Sequence, residues 1–340
     1  MTTQTEIQTE VEKAPNILKT FKNSGNRNVN ETGVFEHVNR DKIYILHHDD
    51  ADGWGAGAIC HSSTSENKYE TKIFAVNYNQ PFPFDVEILT SKDKVFILDF
   101  SYPKEILEDI HKRVERLIVL DHHKSAIGLA DLPYVVFNLK KSGVLLAWDY
   151  FVPEYPAPES VQLLDCYDLW KKNDPKHSWE KVVAFHFACM EGLKKDMQAW
   201  VGMLNGYVIP NNFWELGYAH LHNLQEAIKA IKESPSTEIV EVNNKRYCLF
   251  FAEDMISLVS DGLYNDPELN VVGTGCLFKR KDKWVVSLRS KTVEDFNARL
   301  FAESLDGGGH DLSAGAVIGS NEDEIEILDK LKDELIKFNS

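Results

Sequence analysis

Five short apolar runs rich in Val, Ile, Leu, Tyr and Phe, at residues 43–46, 73–76, 95–98, 117–120 and 134–137, set what the first half of this 340-residue chain can fold into. Runs of this length suit buried strands, and intervening stretches such as 103–115 are long enough for helices. Strands that alternate with helical segments pair largely in parallel, since a parallel crossover needs room for a helix. The expectation is an α/β domain with a largely parallel sheet over residues 39–180.

The flanking segments read differently. Residues 1–38 are polar, rich in Thr, Glu, Asn and Lys, and lack sustained periodicity, so they read as a tail. Residues 181–236 read as a helical connector, with helical stretches at 191–205 and 212–232, and Ser234-Pro235-Ser236 breaks that pattern. Strand-like runs return at 237–242, 246–251, 271–278 and 284–288, followed by a glycine cluster and a terminal helix from about Asn321. Residues 237–340 are therefore expected to form a smaller α+β domain with its own sheet.

Three runs of the first domain end in acidic and histidine clusters. The first leads into His47-His48-Asp49-Asp50-Ala51-Asp52-Gly53, the third into Asp99, and the fourth into Asp121-His122-His123. Ligands in open α/β sheets bind beyond the carboxyl ends of the strands, so the three clusters are expected to converge. An aspartate after a strand is also a common helix N-cap, which is the competing reading for any one of them. Three such strand ends in one domain exceed what capping requires. Crowded carboxylates repel one another, divalent cations remove that penalty, and a mixture of imidazole and carboxylate suits Mn²⁺, Fe²⁺ or Zn²⁺ better than Ca²⁺.

Composition excludes several classes. The formal net charge is −16, from 53 acidic and 37 basic residues, which disfavours a broad footprint on long duplex nucleic acid. No run approaches the roughly 18–20 apolar residues of a membrane span, and the start lacks the basic-then-apolar pattern of a signal peptide, so a cytoplasmic location without a membrane partner is expected. Cys60, Cys166, Cys189, Cys248 and Cys276 are odd in number and include no C-x-x-C pair, arguing against a disulfide framework or a cysteine zinc site.

The motif set resembles a known family. His48, Asp50, Asp52 and Gly53, then Asp99 in Ile97-Leu98-Asp99-Phe100, then Asp121-His122-His123, look like the first three motifs of the DHH phosphoesterases. Gly307-Gly308-Gly309-His310 followed by Ala314-Gly315 is similar to the glycine-rich motif of the accompanying, DHHA1-like domain. The resemblance spans about residues 42–318 and implies a phosphoesterase with two divalent ions, commonly Mn²⁺, with Mg²⁺, Co²⁺ or Fe²⁺ as alternatives. It implies His48 and Asp50 on the first metal, Asp52 and His122 on the second, and Asp99 bridging both. A fourth motif supplies one more aspartate, for which Asp168 and Asp165 compete in Asp165-Cys166-Tyr167-Asp168-Leu169-Trp170, with Asp168 favoured by its place before a bulky aromatic. Many family members carry the first histidine four residues before the first aspartate, where this chain has Leu46; His48 is the nearer candidate and His47 a lesser one.

The resemblance further implies that a water shared by two cations is activated as nucleophile. His123 would then donate to the phosphate or protonate the leaving oxygen, with Asp121 orienting the imidazoles. Gly307, Gly308 and Gly309 would present backbone N–H groups to an anion, with His310 and Arg289 as side-chain contacts. A surface arginine at a strand end is the competing reading of Arg289. Tyr167, Trp170, Trp148 and Tyr150 include possible base-stacking surfaces, although their spacing suits core positions better. Substrates expected from charge and resemblance are short single-stranded oligonucleotides or small nucleotides cut from an end, with a cyclic dinucleotide or 3′-phosphonucleotide hydrolase as alternative. A non-catalytic nucleotide binder is the alternative from another class.

Overall fold

Alternate residues of the first apolar run enter two different cores. In the computed structural model, which describes residues 41–65, 69–77, 80–193, 195–206 and 212–339, Ile43 and Ile45 face one hydrophobic cluster while Tyr44 and Leu46 face another. A strand buried on both faces lies in a sheet covered by helices on both sides. The expected polar tail, residues 1–38, lies outside the described residues.

The five expected strands are all present: β1 (Asp41–His48), β2 (Tyr69–Val76), β3 (Lys94–Leu98), β4 (Arg116–Asp121) and β5 (Val135–Phe137). They pair in parallel in the order β2-β1-β3-β4-β5. One face is covered by α1 (Ala51–Thr64), α3 (Gly143–Phe151), α4 (Glu159–Asp168), α5 (Trp179–Gly192) and α6 (Met197–Leu204), which share a core with Ile45, Phe96, Leu98 and Leu120. The other face packs on α2 (Lys104–Arg113) through Leu107 and Ile110. The chain leaves β1 for β2 on one side and returns to β3 on the other. The order therefore reverses between β1 and β3, the place where doubly wound sheets open a crevice.

The chain divides into two units, one ending at His220 and the other beginning at Leu221. Helices α5 and α6, in the segment read as a connector, contribute Val182, Phe185, Trp200 and Met203 to the core of the first unit. The expected helix over 191–205 is two helices, because the Asp196 carboxylate accepts from the Gln198 and Ala199 amides and so starts a new one. The expected helix over 212–232 is α7 (Phe213–Glu233).

The second unit holds a six-stranded sheet of β6 (Glu238–Val242), β7 (Lys245–Phe251), β8 (Gly273–Arg280), β9 (Lys283–Ser290), β10 (Gly308–His310) and β11 (Ser313–Gly319), in the order β10-β11-β9-β8-β7-β6. Only β7 and β8 pair in parallel, and α8 (Ile256–Asn265) crosses between them. Helices α9 (Ala298–Ser304) and α10 (Glu324–Asn339) pack on this sheet through Phe301, Ile327 and Leu331. Helices α8 and α9 carry no sequence expectation: both are short and lie in stretches without an extended apolar period. All five cysteines are buried free thiols, and no helix among the described residues is long and apolar enough to cross a membrane.

One glycine joins fold to site. The first turn of α1 sits so close on the end of β1 that a Cβ at Gly53 would lie 2.2 Å from the His48 carbonyl oxygen. Gly53→Ala should therefore lower unfolding free energy by about 1–3 kcal/mol, read from urea denaturation in EDTA. An unchanged midpoint would contradict this close approach.

Candidate metal centre

Because β1, β3 and β4 are adjacent and parallel, their carboxyl ends bring His48, Asp99 and the Asp121-His122-His123 run to one place. Asp50 is the N-cap of α1, accepting from the Gly53 amide at 2.9 Å, and its other oxygen meets His48 Nδ1 at 2.7 Å. The capping reading and the cluster reading of this aspartate hold together. Asp52, in the first turn of α1, is buried and accepts from the Gly143 and Val144 amides at the start of α3, the latter at 2.9 Å.

Asp99 stands in the middle. His48 Nδ1 lies 3.7 Å from its Oδ2, and His122 Nε2 lies 3.0 Å from its Oδ1. His122 Nε2 is also 3.8 Å from Asp52 and 3.4 Å from Asp168, which ends α4. Ligand-type atoms accordingly gather in three overlapping groups: His48, Asp50 and Asp99; Asp52, His122 and Asp168; and Asp99, His122 and His123. Asp99 takes up a left-handed backbone conformation, φ 67°, uncommon for a residue with a side chain. A Cβ on Gly143 would lie 2.4 Å from that of Asp99, so α3 can press against this carboxylate only through a glycine.

The two open choices of the sequence separate in space. Asp165 accepts from the Ser142 amide at 2.9 Å and from Lys171 Nζ, which ties the start of α3 to α4, while Asp168 is the aspartate beside His122. His47 is fully buried against Trp54 with Nδ1 on the His48 carbonyl, and burial pushes its pKa down to about 4; His48 is the one beside Asp50 and Asp99.

Electrostatics define what the cluster can hold. Burial, then the neighbouring charge of Asp50, raises the Asp52 carboxyl to about 6, and burial with Asp52 and Asp50 beside them holds Asp99 and Asp168 well above the usual carboxylate range. Burial, assisted by His123, pushes His122 down to about 4, so its imidazole is neutral and ligand-ready near pH 7. Asp50 moves the other way: burial works to raise it, and the His48 hydrogen bond and charge outweigh that and lower it. Asp99 Oδ2 and Asp168 Oδ2 are buried with no hydrogen-bond partner among the described residues. Unsatisfied buried oxygens beside the neutral imidazole of His122 fit a divalent cation.

Around the cluster, Asp121 is buried, accepts from Ser101 Oγ, and meets both the amide and Nδ1 of His123 at 2.9 Å. Burial opposes its ionisation, and these hydrogen bonds win and lower its pKa. A cavity of about 170 Å³ opens beside Asp50, Asp52 and Asp168, walled by Tyr167 and His186. Sequence reasoning missed Ser101, the glycine cradle at Gly143 and His186. A Ser-Gly pair before an apolar run marks a helix start and is the signal by which Gly143 was open to notice; a lone histidine inside a helix carries no such signal. Trp148 is a core residue, and Tyr150 and Tyr167 pack against the same core.

The other expected residues lie in the second unit. Arg289, on β9, donates to Ser287 Oγ, the Leu288 carbonyl and Ser257 Oγ, and burial lowers its pKa. Gly308, Gly309 and His310 form the exposed edge strand β10, paired to β11 at Gly315, Ala314 and Ser313, and Gly307 precedes it.

A cation that binds the cluster must displace the protons held by the raised carboxyls. With raised carboxyl pKa values, the metal-free fold loses stability as pH climbs from the unfolded value near 4 through about 6, and a cation restores it. Thermal stabilisation by a saturating divalent cation, relative to EDTA, should thus be larger at about pH 7.5 than at about pH 5. A melting-temperature shift equal at both pH values would contradict the assignment.

Comparison with known proteins bears on the fold. Residues 255–337 match the model of the DHHA1 domain. An uncharacterized protein of Acanthamoeba polyphaga mimivirus is 29% identical over 242 residues, 68% of this chain, and the chain spans 55% of that relative's length. Among solved structures, RecJ in complex with Mn²⁺ from Thermus thermophilus shares the fold at TM-score 0.52 and 14% identity, over 88% of this chain and 52% of that one. The pGpG-specific phosphodiesterase PggH from Vibrio cholerae does so at TM-score 0.50 and 15% identity, over 88% of this chain and 100% of that one. The match identifies residues 255–337 as a DHHA1 domain, and the likeness to the two solved structures shows a shared fold.

Proposed function

We propose that this protein is a two-metal phosphodiesterase that cleaves short single-stranded oligonucleotides or small nucleotides from an end. The observation that carries the reading is the meeting of His48, Asp50, Asp52, His122 and Asp168 in two ligand groups on either side of Asp99. His48 and Asp50 would hold one ion and Asp52, His122 and Asp168 the other, with Asp99 within reach of both groups. Mn²⁺ is the proposed ion, supported by the mixed imidazole and carboxylate donors and by the Mn²⁺ complex of RecJ. When bound there, divalent ions would supply Lewis-acid polarisation of the phosphoryl oxygens and lower the pKa of a water toward neutral pH.

The chain's own groups do the rest. Asp121 fixes the ring of His123 through Nδ1, and His123 donates to the phosphate or to the leaving oxygen. In the second unit, Arg289 spends three of its five N–H donors on protein acceptors, which holds the guanidinium rigid for contact with substrate phosphate. His310 and the backbone of Gly307, Gly308 and Gly309, on or beside an exposed edge strand, supply further donors.

Short substrates follow from charge. A protein of net charge −16 forgoes the long-range attraction that a long polyanion requires, whereas local contacts suffice for a few nucleotides. The likeness to a pGpG-specific phosphodiesterase points the same way. With Mn²⁺, single strands of about two to five nucleotides should be cut faster than strands of about twenty at equal molarity, with intact duplex resistant. Arg289→Ala should slow that cleavage by about tenfold more than it slows hydrolysis of bis(p-nitrophenyl) phosphate. Rates that rise with strand length would sink the substrate assignment, and equal losses on both esters would remove Arg289 from substrate recognition.

A further inference from the structure

The cavity beside the carboxylate cluster has one imidazole in its wall that none of the ligand groups uses. His186, near the middle of α5, borders the same space as Asp50, Asp52 and Asp168, and belongs to none of the three gatherings of ligand-type atoms. Its ring lies flat on that of Tyr167, with centroids 3.6 Å apart and planes 9° apart, so the orientation of the imidazole is set by the neighbour before anything binds. Its Nδ1 is buried and has no hydrogen-bond partner among the described residues. A phenylalanine would fill the same slot and stack on Tyr167 without leaving a buried nitrogen unsatisfied, so packing alone does not account for a histidine here.

The size and lining of the cavity limit its occupant. At about 170 Å³ it is below the range of pockets that enclose whole ligands, and it has room for a phosphoryl group rather than a nucleoside. Its other polar walls include the Asp50, Asp52 and Asp168 carboxylates, acceptors that repel a phosphate unless cations lie between. An imidazole N–H is a donor suited to a phosphate oxygen at that position.

Resting on the phosphoesterase reading above, we infer that His186 is a substrate-contacting residue of this centre, held by Tyr167 to hydrogen-bond an oxygen of the phosphoryl group bound beside Asp50, Asp52 and Asp168. The alternative role, orienting Asp50 for its metal, makes the opposite prediction for metal affinity.

Calorimetry on the full chain loaded with Mn²⁺, with AMP as probe, separates the two. His186→Phe, which keeps the stack on Tyr167, should bind Mn²⁺ as wild type does and bind AMP about tenfold more weakly, while His186→Gln, which restores a donor, should recover part of the loss. AMP binding by His186→Phe equal to wild type overturns the inference, and so does a fall in Mn²⁺ affinity that matches the fall for AMP. Should His186→Phe not fold, His186→Ala takes its place: weak AMP binding that added imidazole restores supports the assignment, and unaltered AMP binding overturns it. Wild-type protein that binds AMP through His186 yet leaves a dinucleotide uncut would sink the hydrolase reading and leave this contact standing.

Discussion

Asp52, Asp99 and Asp168 are carboxylates gathered around one imidazole, His122, and their mutual repulsion governs the rest of the molecule. Buried like charges this close must hold protons or share cations, and raised carboxyl pKa values mark the first state. His122 adds a neutral nitrogen to that cluster, because burial keeps it uncharged. The same repulsion that weakens the metal-free fold gives a divalent cation its affinity.

The parallel sheet exists to hold that arrangement. Adjacent strands β1, β3 and β4 deliver their carboxyl ends to one line, and the reversal of strand order beside β1 leaves the crevice uncovered. Helices then supply what strands cannot: α1 offers Asp50 from its cap and Asp52 from its first turn, and α4 offers Asp168 from its last residue. The left-handed backbone of Asp99 and the bare Cα of Gly143 against it show how closely the pieces approach, since any larger residue at Gly143 would displace the central carboxylate.

Much of this was readable from residues. Period and length of the apolar runs pointed to the five strands of the first sheet, most strongly β1, β3 and β4, because a strand buried on both faces must be apolar throughout. The Asp and His clusters that end three of those runs pointed to a shared site. What stayed hidden depends on contacts between elements remote in sequence. Asp168 is favoured over Asp165 in the sequence only by its place before a bulky aromatic, and it is the reach of Lys171 and the Ser142 amide to Asp165 that separates them in space. His186 is 136 residues from Asp50, a separation (186 − 50) that no motif spans, and its place follows from how α5 packs on α4. The break at Asp196 was missed for a smaller reason: a capping aspartate restarted a helix inside a stretch of helical composition.

Crystals grown with Mn²⁺ offer the most direct test of the proposed two-metal centre. Anomalous difference maps should show two peaks about 3.5–4 Å apart with the Asp99 carboxylate between them, one beside His48 and Asp50 and the other beside Asp52, His122 and Asp168. A single peak, or peaks away from Asp99, would contradict the account.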